Sequence, residues 1–197
     1  ADVHIKKAAA KIAGHKKWYA DRANSHKKAT ESCASALEEL RLASMVLQRR
    51  HDEDSVSSAA AELVQMKLPS NSFDGCRVMI VGAGTMSRLL VKHLVSKRCT
   101  EMTIVNRSAG RVEELAADFP EANIKLALMD EFLPLAAEHD VIFTAASTGV
   151  IVTKDDLASM PVASACVDGK RRLVDIAVPR NVDADCGDDA NTIAYNV

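Results

Sequence analysis

From residue 77 onward, short apolar runs alternate with longer amphipathic stretches. Runs with no polar face read as buried strands, and stretches with apolar residues every third or fourth position read as helices. The pattern predicts strands at 77–81, 102–105, 123–128, 141–144, 173–177 and 192–195, with helices at about 84–97, 109–118 and 130–138 between the first four. Strictly alternating strands and helices build a parallel sheet covered on both faces, so the fold class is α/β, doubly wound. Upstream, Asp54 is placed to cap a helix from Ser55 to Lys67, stopped by Pro69, with Val56, Ala59, Ala60, Leu63, Val64 and Met66 forming a broad stripe. Residues 1–50 contain one glycine, Gly14, and no proline, and also read as helical. Their clearest feature is the seam Cys33, Leu37, Leu40, Ser44, Leu47, stepping by four and three along a helix from about Thr30 to Arg50. The chain therefore divides into a helical arm, 1–53, and an α/β domain, 54–197.

The first strand of the domain runs into Gly82-Ala83-Gly84-Thr85-Met86-Ser87 and then a helix. Glycines between a strand and a helix serve dinucleotide binding: Gly82 allows the tight turn and Gly84 lets backbone N–H groups approach a pyrophosphate. The helix beginning near Thr85 directs the positive end of its dipole at the phosphates. Ser87 stands where a third glycine is usual and is small enough for close helix–strand packing. The second strand ends in Asn106-Arg107-Ser108, with Arg111 a turn further on. A site for NAD places Asp or Glu here to bond the ribose 2′-hydroxyl. A guanidinium suits a 2′-phosphate instead, which predicts NADP(H), its occupancy left open. After strand four, the small residues Ala145, Ala146, Ser147, Thr148 and Gly149 would let a nicotinamide riboside lie against the backbone. Val178 and Pro179, after strand five, fall where the ring should sit. Beside them, Arg180 has two open readings: contact with an anion, or pairing with Asp175 or Asp183.

Charge divides along the same line as structure. Residues 1–50 carry eleven Lys and Arg against five Asp and Glu, a net +6, and the other 147 carry fourteen against twenty-two, a net −8. Three readings of the arm stand: docking on its own domain, pairing with a partner helix, or contact of Lys6, Lys7, Lys11, Lys16 and Lys17, beside Trp18 and Tyr19, with RNA or lipid headgroups. A seam of about sixteen residues falls short of the three or four heptads of a coiled coil. Helix pairing with a protein partner is the preferred reading. Five scattered cysteines without a CxxC pair point away from a disulfide framework and toward a reducing compartment. His4, His15 and His26, eleven residues apart, read as a solvated face; His93 and His139 read as helical and exposed or at the core's edge. Asp188-Asp189 reads as a charged turn. No apolar run reaches the roughly eighteen residues of a transmembrane span. The start at Ala1 fits a processed or truncated terminus.

Several runs together resemble glutamyl-tRNA reductase: Val56 to Leu63, Met66-Lys67-Leu68-Pro69, Gly82 to Met86, Asn106-Arg107-Ser108, Asp175-Ile176-Ala177-Val178-Pro179-Arg180-Asn181, and Tyr195-Asn196-Val197. The resemblance covers about residues 54–197, the NADPH-binding domain of that family, and the wording around Met66 to Pro69 is similar to plastid enzymes. It implies an NADP-binding Rossmann domain, NADPH as hydride donor, a plastid location and a place in tetrapyrrole and chlorophyll synthesis. In that family a separate domain bears the nucleophilic cysteine within a Ser-Thr-Cys-Asn-Arg type motif. Cys33 lies in Glu31-Ser32-Cys33-Ala34-Ser35, without the Asn-Arg, and its place on the seam marks it as a packing residue. The dimerisation helices of the family would begin where this chain stops. The expectation is a non-catalytic, NADP(H)-binding structural or regulatory subunit of a plastid assembly, attached by its arm and without tRNA affinity alone. The alternative is the cofactor part of an active reductase whose catalytic domain lies elsewhere. A shikimate-dehydrogenase-like enzyme is a third, weaker reading.

Overall fold

A computed structural model of the chain describes residues 2–160, 166–186 and 191–197, with some arm side chains and that of Ala137 left aside. The chain forms two compact units, Ala1–Arg50 and His51–Val197. Its first helix, α1 (Asp2–Lys67), is continuous, so the separate helix from Ser55 and the Asp54 cap are not found. Nothing between Arg50 and Ser55 breaks a helix, because neither glycine nor proline intervenes. Asp54 instead meets the side chains of His93 at 3.1 Å and Lys92 at 4.0 Å. The C-terminal end is as expected: α1 stops at Lys67, two residues before Pro69.

The second unit is a six-stranded sheet in the order β3-β2-β1-β4-β5-β6. Its strands are β1 (Val78–Val81), β2 (Glu101–Asn106), β3 (Asn123–Leu128), β4 (Val141–Thr144), β5 (Arg171–Asp175) and β6 (Thr192–Asn196). Every pairing is parallel. The remaining α-helices among the described residues are α2 (Thr85–Ser96), α3 (Ala109–Ala117), α4 (Phe132–Leu135) and α5 (Lys154–Ser159), with α4 flanked by 3₁₀ turns. Strand β5 begins two residues before the apolar run suggests, because Arg171 and Arg172 are both buried and paired into the ladder. Arg171 donates to the Ala136 carbonyl at 2.8 Å, while Arg172 holds Asp168 at 2.7 Å and the Lys67 carbonyl at 3.0 Å. Charged side chains hide a strand from a hydrophobic reading when their partners lie elsewhere in the chain. Helix α5 is also absent from the expected set, although Thr153 and Asp156 cap it reciprocally.

Two apolar layers sandwich the sheet. One joins Ala60, Ala61 and Val64 of α1 to Leu90, Val91 and Leu94 of α2 and to Val78, Ile80 and Phe143 of the strands. Small residues at 57, 60 and 61 permit close approach, and the Ser57 hydroxyl reaches the Met86 carbonyl at 3.4 Å. Burial of each branched aliphatic side chain contributes about 1.5–3 kcal/mol. The other layer holds Met79, Val105, Ile142 and Leu173 against Phe132 and Leu157. The last turns of α1 thus form part of the domain's core.

His139 is buried at the close of the 3₁₀ turn that follows α4, in extended backbone rather than at an exposed helical edge. Its ring lies 2.8 Å from both the Leu135 carbonyl and the Thr103 hydroxyl. Desolvation by burial pulls its pKa below the ordinary 6.5. The native state then binds fewer protons than the unfolded chain once pH falls below about 6.5, so stability is complete above that value and is lost on acidification. Thermal unfolding followed from about pH 7.5 to 5.5 should show Tm falling, with a shallower slope for His139→Gln. Equal slopes would remove His139 from the account.

Candidate functional site

Parallel register brings the carboxyl ends of β1, β2 and β4 side by side, with Val81 paired to Val105 and to Thr144. Between β1 and β4 the strand order reverses, which opens a crevice at that end of the sheet. A cavity of about 490 Å³ occupies it. Of the residues anticipated from sequence, Gly82, Ala83, Gly84, Asn106, Arg107, Ser108, Arg111, Ala145 and Ser147 line this cavity, with Val81, Val105, Met129, Ala146, Thr148 and Ile151. Thr85 and Met86 stand just outside, in the first turn of α2. Val178 and Pro179 do not reach the lining, and Val178 is 93% exposed.

The two glycines serve different purposes. Gly82 has φ +113° and donates its N–H to the Val105 carbonyl at 2.8 Å. A Cβ there would sit 2.9 Å from the Ala145 oxygen and 3.1 Å from the Ala146 Cα, against backbone that cannot swing aside. At Gly84 a Cβ would meet nothing within 4 Å. The space beside Gly84 belongs to the cavity mouth, at the end of α2, which no side chain caps. Its first-turn N–H groups are therefore available to an anion. Ser87 is fully buried, and its hydroxyl finds no partner.

Arg107 and Arg111 are exposed on the cavity wall, and neither meets a carboxylate among the described residues. The Asn106 amide closes the same turn by donating to the Ser108 carbonyl at 3.0 Å. Facing them, the loop after β4 is held from a distance. Asn181, fully buried, accepts from the Ala146 N–H at 2.8 Å and donates to the carbonyls of Ala146, Thr148 and Gly149 at 3.0–3.1 Å. Asp175, 2% exposed, positions Asn181: its carboxylate accepts from the N–H groups of Ala177, Asn181 and Val182 and from the Thr144 hydroxyl, all within 2.9–3.0 Å. Arg180 therefore does not pair with Asp175. Its guanidinium donates to the Asn196 side-chain oxygen at 2.9 and 3.2 Å when that amide is turned to accept. The run Asp175 to Asn181 carries the family resemblance, but the latch itself is not legible there, its local signal being one carboxylate at the end of an apolar strand and one amide six residues on.

The chain matches the Shikimate / quinate 5-dehydrogenase family over residues 62–197. It belongs to that family. Within the family its resemblance to the nucleotide-binding domain of glutamyl-tRNA reductase holds. It is 43% identical over 144 residues to the chloroplastic glutamyl-tRNA reductase 1 of Cucumis sativus, covering 73% of this chain and 26% of that protein. It is 45% identical over 144 residues to the glutamyl-tRNA reductase of Gloeothece citriformis, covering 73% and 32%. Among solved structures, the glutamyl-tRNA reductase of Methanopyrus kandleri superposes with a TM-score of 0.57 at 25% identity, over 72% of this chain and 34% of that one. The chain spans about a quarter to a third of the length of these curated relatives.

For a member of a dehydrogenase family, the cavity is notable for what its lining contains. Among the described residues no Cys, His, Lys, Asp or Glu contributes to it. Burial raises the thiols of Cys76 and Cys99 to about 11 and about 12, and the thiols of Cys166 and Cys186 are also raised, again chiefly by burial. Such groups stay protonated and are weak nucleophiles. Cys33 is exposed on the arm, so it packs against nothing within this chain. Among the described residues no cluster of His, Cys, Asp or Glu could hold a metal ion. Asp188 and Asp189 lie outside the described residues, as does the side chain of His4; His15 and His26 are exposed.

Removing the Asp175 carboxylate would strand three backbone N–H groups and a hydroxyl. Asp175→Ala should lower the unfolding free energy by about 3 kcal/mol or more, measured by urea titration. Ser87→Ala, which removes an unpartnered buried hydroxyl, should instead be neutral or stabilising by up to about 1 kcal/mol.

Proposed function

We propose that this chain is an NADP(H)-binding domain of the glutamyl-tRNA reductase type that holds the dinucleotide without performing the reduction alone. It acts as a structural or regulatory subunit of a plastid assembly, joined to a protein partner through its arm. The observation that carries the nucleotide reading is the pair of arginines, Arg107 just after β2 and Arg111 in the first turn of α3, on a wall with no carboxylate among the described residues. A ribose 2′-hydroxyl gains nothing there from an acidic acceptor, whereas a 2′-phosphate gains two guanidinium forks. The group also fits elsewhere: the uncapped end of α2 and the open space beside Gly84 suit a pyrophosphate. The small loop at Ala145–Gly149 leaves room for a nicotinamide riboside. NADPH, when bound, supplies a hydride to a substrate.

Among the described residues the ionisable side chains of the lining are Arg107 and Arg111, beside the hydroxyls of Ser108, Ser147 and Thr148. Such groups bind and orient the donor, which favours the non-catalytic reading over a self-sufficient enzyme. Chloroplastic relatives support a plastid setting, and no helix among the described residues is long and apolar enough to cross a membrane. The second reading, the cofactor part of an active reductase, is favoured by the intact glycine turn and its cavity. Supplying the chain to a glutamyl-tRNA reductase stripped of its own nucleotide domain separates the two. Restored NADPH oxidation would support the second.

Calorimetric titration tests the nucleotide reading directly. The chain should bind NADPH more tightly than NADH, and Arg107→Ala should weaken NADPH about tenfold or more while leaving NADH within about twofold, as expected for one lost charge-assisted contact. A folded chain that binds neither would refute nucleotide binding.

A further inference from the structure

The arm carries a longer repeat than the seam between Cys33 and Leu47. Ile5, Ile12, Tyr19, His26, Cys33, Leu40 and Leu47 recur at every seventh residue, all within one helix. Ala9, Lys16, Ala23, Thr30, Leu37 and Ser44 interleave with them, three residues before the next member. In heptad terms the first series occupies d and the second a, with mostly large residues at d facing mostly small ones at a. Side chains described on this row are open to solvent: Ile12 is 59% exposed, Tyr19 65% and Leu37 67%. A straight α-helix would let a strict seven-residue row drift by about 20° per heptad. Over six heptads the row stays on one face only if the helix supercoils about a neighbour.

The positions flanking that row decide which neighbour. At e stand Lys6, Ala13, Ala20, Lys27, Ala34, Arg41 and Gln48, and at g Ala8, His15, Arg22, Ala29, Ala36, Ala43 and Arg50. Five are Lys or Arg and none is acidic. The arm's five carboxylates fall elsewhere: Asp2 at a, Asp21 at f, Glu31 and Glu38 at b, Glu39 at c. A second copy of the arm, aligned in parallel and in register, would set Lys16 against Lys16 within the seam and basic flanks against basic flanks. Like charges across e and g select against self-pairing, and opposite charges select for a heterologous partner.

We propose that the arm, from Ile5 to Leu47, pairs as a coiled coil with a helix of another protein, bearing large apolar residues in its seam and acidic residues on its flanks. This deepens the arm part of the proposed function and is independent of its nucleotide part. NADPH titration of the same preparation keeps the two distinguishable.

The test uses the full chain and a synthetic 42-residue probe helix with Leu at d, Ala at a, and Glu at e and g. Controls are the same peptide with Lys at e and g, a scrambled peptide of the acidic composition, anionic phosphatidylglycerol vesicles and a mixed-sequence RNA. Sedimentation should show the chain monomeric alone and a one-to-one complex with the acidic peptide. Calorimetry should show at least tenfold weaker binding of the basic and scrambled peptides. The Ile12→Asp, Leu37→Asp double variant, changed only at exposed positions, should lose at least tenfold in affinity while keeping its helical circular dichroism. Equal binding of the scrambled peptide would reduce the arm to a generic polycation and overturn the proposal. So would self-association through the arm, or binding to vesicles or RNA but not to the acidic peptide.

Discussion

The contact between Gly82 and the backbone of Ala145 and Ala146 sets the geometry of the nucleotide-binding unit. Two main chains meet where one Cβ would overlap a carbonyl oxygen. That approach requires β1 and β4 to be adjacent, parallel and in register, and it requires the β1–α2 turn to adopt a positive φ. It also fixes where α2 starts, and hence where its uncapped end points. Each wall of the cavity follows from this placement. The glycine turn forms one, the end of β2 with its arginines a second, and the loop after β4 a third.

Much of this was legible in the chain. Buried parallel strands announce themselves as apolar runs, and the glycine turn between a strand and a helix locates the crevice without further information. Nine of the site positions read from sequence line one cavity because the sheet's register, itself dictated by those runs, gathers strand ends that are far apart in the chain. Val178 and Pro179, placed by the carboxyl end of strand five, stand outside the cavity lining, with Val178 in solvent. The departures elsewhere share a cause. The fifth strand reads as starting at residue 173, and His139 as exposed or at the core's edge, because the partners of Arg171, Arg172 and His139, such as Ala136, Lys67 and Thr103, lie on other elements. Polar residues are buried only where the fold supplies partners, and a linear pattern does not show those. The break imagined at Asp54 failed for the opposite reason: a good capping residue starts a helix only where the preceding residues do not already continue one.

The domain also shows how a helix outside the repeating strand–helix unit becomes indispensable to it. The last four turns of α1 lie over α2 through Ser57, Ala60, Ala61 and Val64, and the carbonyl at Lys67 is answered by buried Arg172 from β5. That arginine reads the end of one helix and the start of one strand together, so it ties the layer above the sheet to the strand beneath it.

Asn181 shapes a loop that lies 32 to 35 residues before it in the chain. Until β5 has formed and Asp175 has captured the Asn181 N–H, residues 146–149 have no template for their conformation. Contacts of such long sequence separation form slowly, since the intervening chain must first be ordered. During synthesis the glycine turn and the arginine wall emerge well before the opposite rim, and the cavity closes into shape only after Asp175 and Asn181 have followed.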